Sequence, residues 1–116
     1  MQELLNTIIL GKWEDWLPKL PDNSIDMALL DLPYSLTAIG WDKQPVDLIA
    51  LWKELKRVGK STTAYVFTAN QPFASSVVLS NPDWFKYELV WSKGTTSSPG
   101  IAKYRPLPSH ETILVF

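Results

Sequence analysis

The 116-residue sequence contains no cysteine and one histidine, His110. Disulfide bridges and thiolate metal sites are therefore excluded, and a single histidine cannot form a metal site by itself. The sequence also lacks an apolar run of the roughly 18 residues that a membrane-spanning helix requires. Its first residues show no basic segment followed by a long apolar one, as a secretory signal would. We therefore expect a cytoplasmic protein with no metal and no membrane partner.

Neither sign of charge dominates, since 11 basic and 12 acidic residues give a net charge of −1. This balance excludes the global positive field of many nucleic-acid-binding proteins, so any contact with DNA must come from a local basic patch. The length is typical of one domain, and we expect a single domain over residues 1–116. Six tryptophans and a hydrophobic fraction of 46% provide apolar area for its core.

Strand-like and helix-like patterns alternate along the chain, which predicts an α/β sheet that is parallel at least in its first part. Apolar and β-branched runs predict strands at residues 7–10, 25–30, 62–67, 85–91 and 112–116. Helical spacing of apolar residues predicts helices at residues 13–20, 45–58 and 72–79.

A segment rich in glycine, proline, serine and threonine at residues 92–109 predicts a long loop. Structureless loops of this length are usually functional or disordered. Four basic candidates for contacts with DNA phosphates lie in or beside it: Lys93, Lys103, Arg105 and His110. The alternative is that these residues form only a solvated surface, and that His110 has a structural role at the start of the last strand.

The most informative motif is Asp31-Leu32-Pro33-Tyr34, which directly follows the apolar run Ile25–Leu30. This order places a carboxylate and an aromatic ring at the carboxyl end of a predicted strand, where open α/β sheets bind ligands. A hydrogen-bond acceptor beside a stacking surface suits a planar base that carries an amino group. The alternatives are that Asp31 caps a turn and that Tyr34 is a packed core ring.

The tetrapeptide and its surroundings resemble the β-group amino-methylating DNA methyltransferases, and most closely their phage-type adenine methylases. These enzymes methylate the exocyclic amino group of adenine or cytosine with S-adenosylmethionine. Asp31-Leu32-Pro33-Tyr34 matches the family's catalytic Asp-Pro-Pro-Tyr, with Leu32 in the second place. Further matches occur in the same order at Leu20–Asp26, Trp41–Lys43, Gln71–Phe73, Trp91–Lys93, Lys103–Leu107 and His110–Phe116.

The resemblance implies a site-specific DNA adenine methyltransferase of the kind found in restriction–modification systems and phages, with double-stranded DNA as its partner. Asp31 and the backbone carbonyl of Leu32 would accept the two amino protons of a flipped-out adenine. Pro33 would stiffen the turn, and Tyr34 would stack on the base. Positioning and electrostatics would then supply most of the catalysis.

Two departures from the family pattern concern the cofactor. The family has an acid after the glycine that ends its first strand, and here Gly11 is followed by Lys12. The family's glycine-rich cofactor loop follows the segment that ends here at Phe116, and this sequence has no Gly-x-Gly. We therefore expect a partial Rossmann-like sheet, open and mostly parallel with helices on both faces, that lacks the cofactor-binding half. Asp31 and Gly11 remain the candidate S-adenosylmethionine contacts.

Two other hypotheses stay open at this point. The chain could be a non-catalytic remnant or nucleic-acid-binding module that keeps the base pocket, or an unrelated small α/β protein. The resemblance implies that strands of the later half separate the first strand from the catalytic strand. If that half is missing, either the first strand pairs differently or a sheet edge is left open, and an open edge invites pairing with another chain. We therefore expect self-association, a partner chain that completes the sheet, or marginal stability.

Overall fold

Four β-strands form one mixed sheet in the order β1-β2-β4-β3. The strands are β1 (Ile25–Asp31), β2 (Gly59–Ala69), β3 (Tyr87–Ser92) and β4 (His110–Val115). The helices are α1 (Trp13–Trp16), α2 (Leu48–Val58) and α3 (Phe73–Ser80), with short 3-10 turns at Gln2–Leu4 and Leu17–Lys19. This architecture comes from a computed structural model that describes residues 1–34, 46–95, 100 and 102–116. The sequence match at Trp41–Lys43 and the predicted helix start at Pro45 lie outside the described residues.

The predicted α/β class is confirmed, but the pairing differs from a mostly parallel sheet. Strands β1 and β2 are parallel, as predicted for the first part of the chain. Strand β4 runs antiparallel to both β2 and β3. The antiparallel direction of β4 follows from its connection to β3. The described part of residues 93–109 forms turns and bends, with no crossover helix in it. Parallel neighbours need a crossover, whereas antiparallel strands can be joined by a loop.

The predicted strand at residues 7–10 is wrong. This segment has no strand assignment, and the side chains of Ile8 and Leu10 are fully exposed at 103% and 102%. An apolar run becomes a strand only where a neighbouring strand can take up its backbone hydrogen bonds. The outer edge of β1 is consequently open within the described residues, since β2 is its one neighbour in the sheet.

The core lies on one side of the sheet, under the helices. Alternate residues of β2 point to this side, and Tyr65, Phe67 and Ala69 are at most 3% exposed. The helices contribute buried residues to the same cluster, namely Leu51, Trp52 and Leu55 from α2 with Ala74 and Val77 from α3. Trp13 of α1 packs against it as well.

The expectation of helices on both faces is therefore wrong for the part of the chain that the structure describes. Helical spacing identifies the apolar side of a helix, but it does not say which side of the sheet that helix covers. None of the helices in the described ranges is long and apolar enough to cross a membrane.

Helix α2 has clear signals at both ends, and these signals position β2. The Asp47 side chain accepts a hydrogen bond from the Ala50 backbone N–H at 3.0 Å, which caps the first turn. At the other end Gly59 follows the helix and starts β2 directly. A Cβ at this position would collide with the Tyr65 hydroxyl, which donates to the Leu55 carbonyl at 3.1 Å. Gly59 thus allows a close approach of the helix end to the strand that follows it.

A single arginine ties the amino-terminal part of the chain to α2. The Arg57 guanidinium donates to the backbone carbonyls of Leu17 and Leu20 at 3.1 and 2.8 Å. It also forms ion pairs with Asp22 and Glu54, each at 2.7 Å. These bonds fix the segment that leads into β1, and therefore fix where β1 begins.

Candidate active site

The carboxylate of Asp31 is held by the neighbouring strand. Asp31 ends β1 and lies opposite Thr68 in the parallel register, so both side chains point away from the helices. The Thr68 hydroxyl donates to Asp31 Oδ1 at 2.7 Å. Asp31 remains exposed, so its carboxylate is oriented by the protein and still accessible from solvent.

Tyr34 completes a chain of hydroxyl hydrogen bonds to the same carboxylate. Its phenol donates to Thr68 Oγ1 at 3.2 Å and lies 3.4 Å from Asp31 Oδ1. Burial is the main cause that raises the pKa of Tyr34 to about 12. The Thr68 hydrogen bond, the next largest effect, lowers this pKa, and the nearby charges of Glu111 and Asp31 raise it. The phenol is therefore a neutral hydrogen-bond donor at physiological pH.

The ring of Tyr34 is half-buried and lies against Phe73 at the start of α3. The two ring centroids are 5.3 Å apart with an interplanar angle of 25°. This stack keeps one face of Tyr34 against the protein and fixes the orientation of the ring. The predicted stacking of Tyr34 on a base therefore concerns its other face.

Leu32 and Pro33 connect the strand to this ring. Both are half-buried, and the Leu32 side chain packs against the core cluster. Proline at the next position restricts Leu32 to extended backbone conformations. The four residues of the motif thus occupy one short, anchored segment at the carboxyl end of β1, as the sequence predicts.

A second polar group lies at the same edge of the sheet. The Glu111 carboxylate of β4 forms an ion pair with Lys93 at 3.2 Å and accepts a hydrogen bond from the Asn70 side chain at 3.4 Å. Lys93 Nζ also lies 4.6 Å from the centroid of the Trp91 ring. Glu111 lies two residues before Ile113, the residue of β4 that pairs with Thr68, so this group adjoins the Asp31 cluster on the same face of the sheet.

The other three basic candidates lie apart from this cluster. His110 starts β4 opposite Ser92 and faces the other side of the strand from Glu111. Lys103 and Arg105 are exposed, and among the described residues they form no hydrogen bond or ion pair with the cluster. Of the four, Lys93 alone forms an ion pair with another residue of the described ranges.

The two candidate cofactor contacts do not come together. Gly11 packs against the indole of Trp16, and Trp16 shares an apolar cavity of about 360 Å³ with Ile25, the first residue of β1. Asp31 is the last residue of β1, about 20 Å further along the strand at about 3.3 Å per residue. Gly11 and Asp31 thus lie towards opposite ends of β1.

Sequence reasoning missed three residues of the site: Thr68, Asn70 and Glu111. A usable signal existed for Thr68 and Asn70, because the carboxyl ends of neighbouring parallel strands meet at one edge and both residues end or follow β2. Glu111 carried no such signal, since its place depends on the antiparallel pairing of β4 with β2.

Comparisons with known proteins bear on this geometry. No protein-family model matches the chain. The chain is 29% identical over 139 residues to Type II methyltransferase M.HinfI of Haemophilus influenzae, an alignment that covers 98% of this chain and 38% of that protein. The chain therefore spans about two fifths of the length of this curated relative.

Solved structures share the fold. TTHA0409 of Thermus thermophilus, described as a DNA modification methylase, matches 90% of this chain and 49% of its own, with a TM-score of 0.67 at 18% identity. Its complex with S-adenosyl-L-methionine matches with a TM-score of 0.60. The M1.HpyAVI–SAM complex matches 88% of this chain and 47% of its own, with a TM-score of 0.56 at 15% identity. At these identities the likeness establishes the fold.

Proposed function

We propose, on the premise that this chain is a partial amino-methylating DNA methyltransferase, that it forms the base site of an enzyme acting on adenine in double-stranded DNA. One observation carries the proposal: Thr68 fixes the exposed Asp31 carboxylate at 2.7 Å, beside the anchored ring of Tyr34. The preference for adenine over cytosine rests on the resemblance of the tetrapeptide region to the phage-type adenine methylases.

The chemistry of the base explains why a fixed acceptor is needed. The amino nitrogen of adenine is a poor nucleophile because its lone pair is delocalised into the ring. If Asp31 accepts one amino proton and the Leu32 carbonyl accepts the other, the nitrogen shifts towards tetrahedral geometry and its lone pair becomes available. The Thr68 hydrogen bond holds the carboxylate in one orientation, so little reorganisation is needed when the base arrives.

Tyr34 supplies the stacking surface. A base must leave the duplex first, which costs a few kcal/mol in lost stacking and pairing. Stacking on an aromatic side chain returns about 1–3 kcal/mol of that free energy. The contact with Phe73 at 5.3 Å keeps the Tyr34 ring in place for this role.

The described residues do not fit S-adenosylmethionine, the cofactor that we propose for the assembled enzyme. Gly11 lies towards the opposite end of β1 from Asp31, Lys12 occupies the place of the family's acid, and the sequence has no Gly-x-Gly. The contribution of these residues is therefore confined to the base side of the reaction, and no methyl-transfer step follows from them.

Basic side chains supply the proposed contacts with the DNA backbone. Lys93 is held between Glu111 and Trp91, while Lys103, Arg105 and His110 are exposed. We propose that they neutralise phosphates, which makes DNA binding weaken steeply with rising salt concentration.

Base selectivity tests the proposal without requiring cofactor. We expect adenosine to shift the NMR signals of Asp31, Tyr34 and Thr68 in a saturable titration. N6-dimethyladenosine, which has no amino proton to donate, should bind at least about tenfold more weakly, a loss of about 1.4 kcal/mol for two hydrogen bonds to acceptors. Asp31→Ala should remove the difference between the two ligands. Equal binding of both ligands by the unaltered protein contradicts the proposal, and cytidine in the same titration tests the preference for adenine.

A second candidate is a nucleic-acid-binding module that keeps the base pocket without catalysis. The poor fit of the described residues to S-adenosylmethionine favours it. Isothermal titration with S-adenosylmethionine bears on this choice, since saturable binding by this chain would support the enzyme and contradict the module. Absence of cofactor binding agrees with both functions, because the described residues do not fit the cofactor.

A further inference from the structure

The sheet face that points away from the helices carries large exposed apolar side chains. Because side chains alternate along a strand, half of the residues of each strand point to this face. Five large ones are between 45% and 69% exposed: Met27, Leu29, Tyr87, Leu89 and Trp91. We call these five, together with the half-buried Val66 and Ile113 between them, the open sheet face.

Strand register shows that this apolar surface is continuous. Residues paired across neighbouring strands lie side by side on one face. One row crosses all four strands through Leu29, Val66, Val115 and Tyr87. The next row crosses them through Asp31, Thr68, Ile113 and Leu89. The first row is entirely apolar, and the second changes from polar at β1 to apolar at β3.

The exposed area is close to what a stable dimer requires. A large side chain has roughly 200 Å² of surface, so the five exposed side chains present about 550 Å² at the stated exposures. Two such faces bury about 1,100 Å² together, and Val66 and Ile113 add to that area. Specific interfaces start near 1,200 Å² in total, and one face of about 550 Å² is near the upper end of the 300–600 Å² that the largest apolar patch of a typical monomer covers.

We propose that the open sheet face binds a second copy of this chain, face to face about a two-fold axis. An isologous contact pairs the same surface of both copies, so that surface must be self-complementary. The row that starts at Leu29 meets this need, because it has no charged residue that would oppose its own copy. Two sheets packed in this way lie about 10 Å apart. The proposal is independent of the proposed function, because it depends on apolar area alone.

Solution mass tests the proposal with the chain as it is. Light scattering coupled to size exclusion should give twice the chain mass of 13.2 kDa at micromolar concentration. Leu89→Lys, and Val66→Lys at the centre of the face, should each raise the dimer dissociation constant by at least about tenfold. Ile49→Lys is the matched control, since Ile49 is 83% exposed on α2 and should leave the dimer unchanged.

The variants also separate face packing from edge pairing. Val66 lies on a central strand, so a charge there disturbs the face and leaves both sheet edges intact. Circular dichroism of Val66→Lys checks that it folds, and Val66→Thr provides an uncharged comparison. A chain that stays monomeric across the concentration range overturns the proposal. So does a dimer that Val66→Lys and Leu89→Lys leave intact, or open-ended aggregation of the unaltered chain.

Discussion

At the scale of single residues, the site depends on the hydroxyl of Thr68. This hydroxyl donates a hydrogen bond to Asp31 Oδ1 at 2.7 Å, which orients an exposed carboxylate. The same hydroxyl accepts a hydrogen bond from the Tyr34 phenol at 3.2 Å. Thr68→Val keeps the shape and removes both bonds. A hydrogen bond to a charged group contributes about 1.5–3 kcal/mol, part of which solvent replaces at an exposed site. We therefore expect adenosine to bind about tenfold more weakly in the NMR titration.

Thr68→Ser is the matched variant, because serine keeps the hydroxyl and should retain most of the affinity. Binding by Thr68→Val that equals the unaltered protein would show that Asp31 needs no orientation by β2. Sequence reasoning found Asp31 and Tyr34 because they follow a short apolar run within one motif. Thr68 lies 37 residues further on, and its role follows only from the register of two parallel strands.

At the scale of elements, the junction of α2 and β2 decides how closely the helix end packs on the strand. A Cβ at Gly59 would collide with the Tyr65 hydroxyl, and Tyr65 is 3% exposed. Overpacking of this kind costs about 1–3 kcal/mol. We expect Gly59→Ala to lower the free energy of unfolding by that amount in urea denaturation.

Removal of the hydroxyl provides a direct check on this cause. Gly59→Ala should cost less in a Tyr65→Phe background than in the unaltered protein, because the closest colliding atom is gone and only the ring carbon that bore it remains close, at 2.9 Å. Gly100→Ala is the control, since a Cβ there meets nothing within 4 Å, and it should change stability by less than about 0.5 kcal/mol. An equal cost of Gly59→Ala in both backgrounds would assign the effect to the backbone.

Other elements show what the sequence can and cannot determine. Apolar spacing identified α2 and the position of its end at Val58, because this signal is local. The strand predicted at residues 7–10 failed because a strand also needs a neighbour, which no local pattern specifies. Helices on both faces failed for a similar reason: β3 exposes Leu89 on one side and bears Glu88 on the other, so its own pattern does not show which side the helices cover.

At the scale of the whole molecule, the proposed base site and the open sheet face lie on the same side of the sheet. Asp31 is one row, or about 7 Å, beyond the apolar row that starts at Leu29. A second copy centred on that row would restrict access to the carboxylate. Self-association and base binding should therefore oppose each other, and by linkage each weakens the other by the same factor.

This coupling predicts that the apparent affinity for adenosine falls as the protein concentration rises through the dimer dissociation constant. Leu89→Lys should abolish the concentration dependence, because Leu89 lies on β3, three strands away from Asp31 in the sheet order, and its charge disrupts the dimer without touching the site. Titrations at several protein concentrations measure the effect. A concentration dependence that persists in monomeric Leu89→Lys would show that dimerisation is not its cause. Its absence in a dimeric unaltered chain would place the proposed base site outside the dimer contact, and the sheet face would then serve association alone.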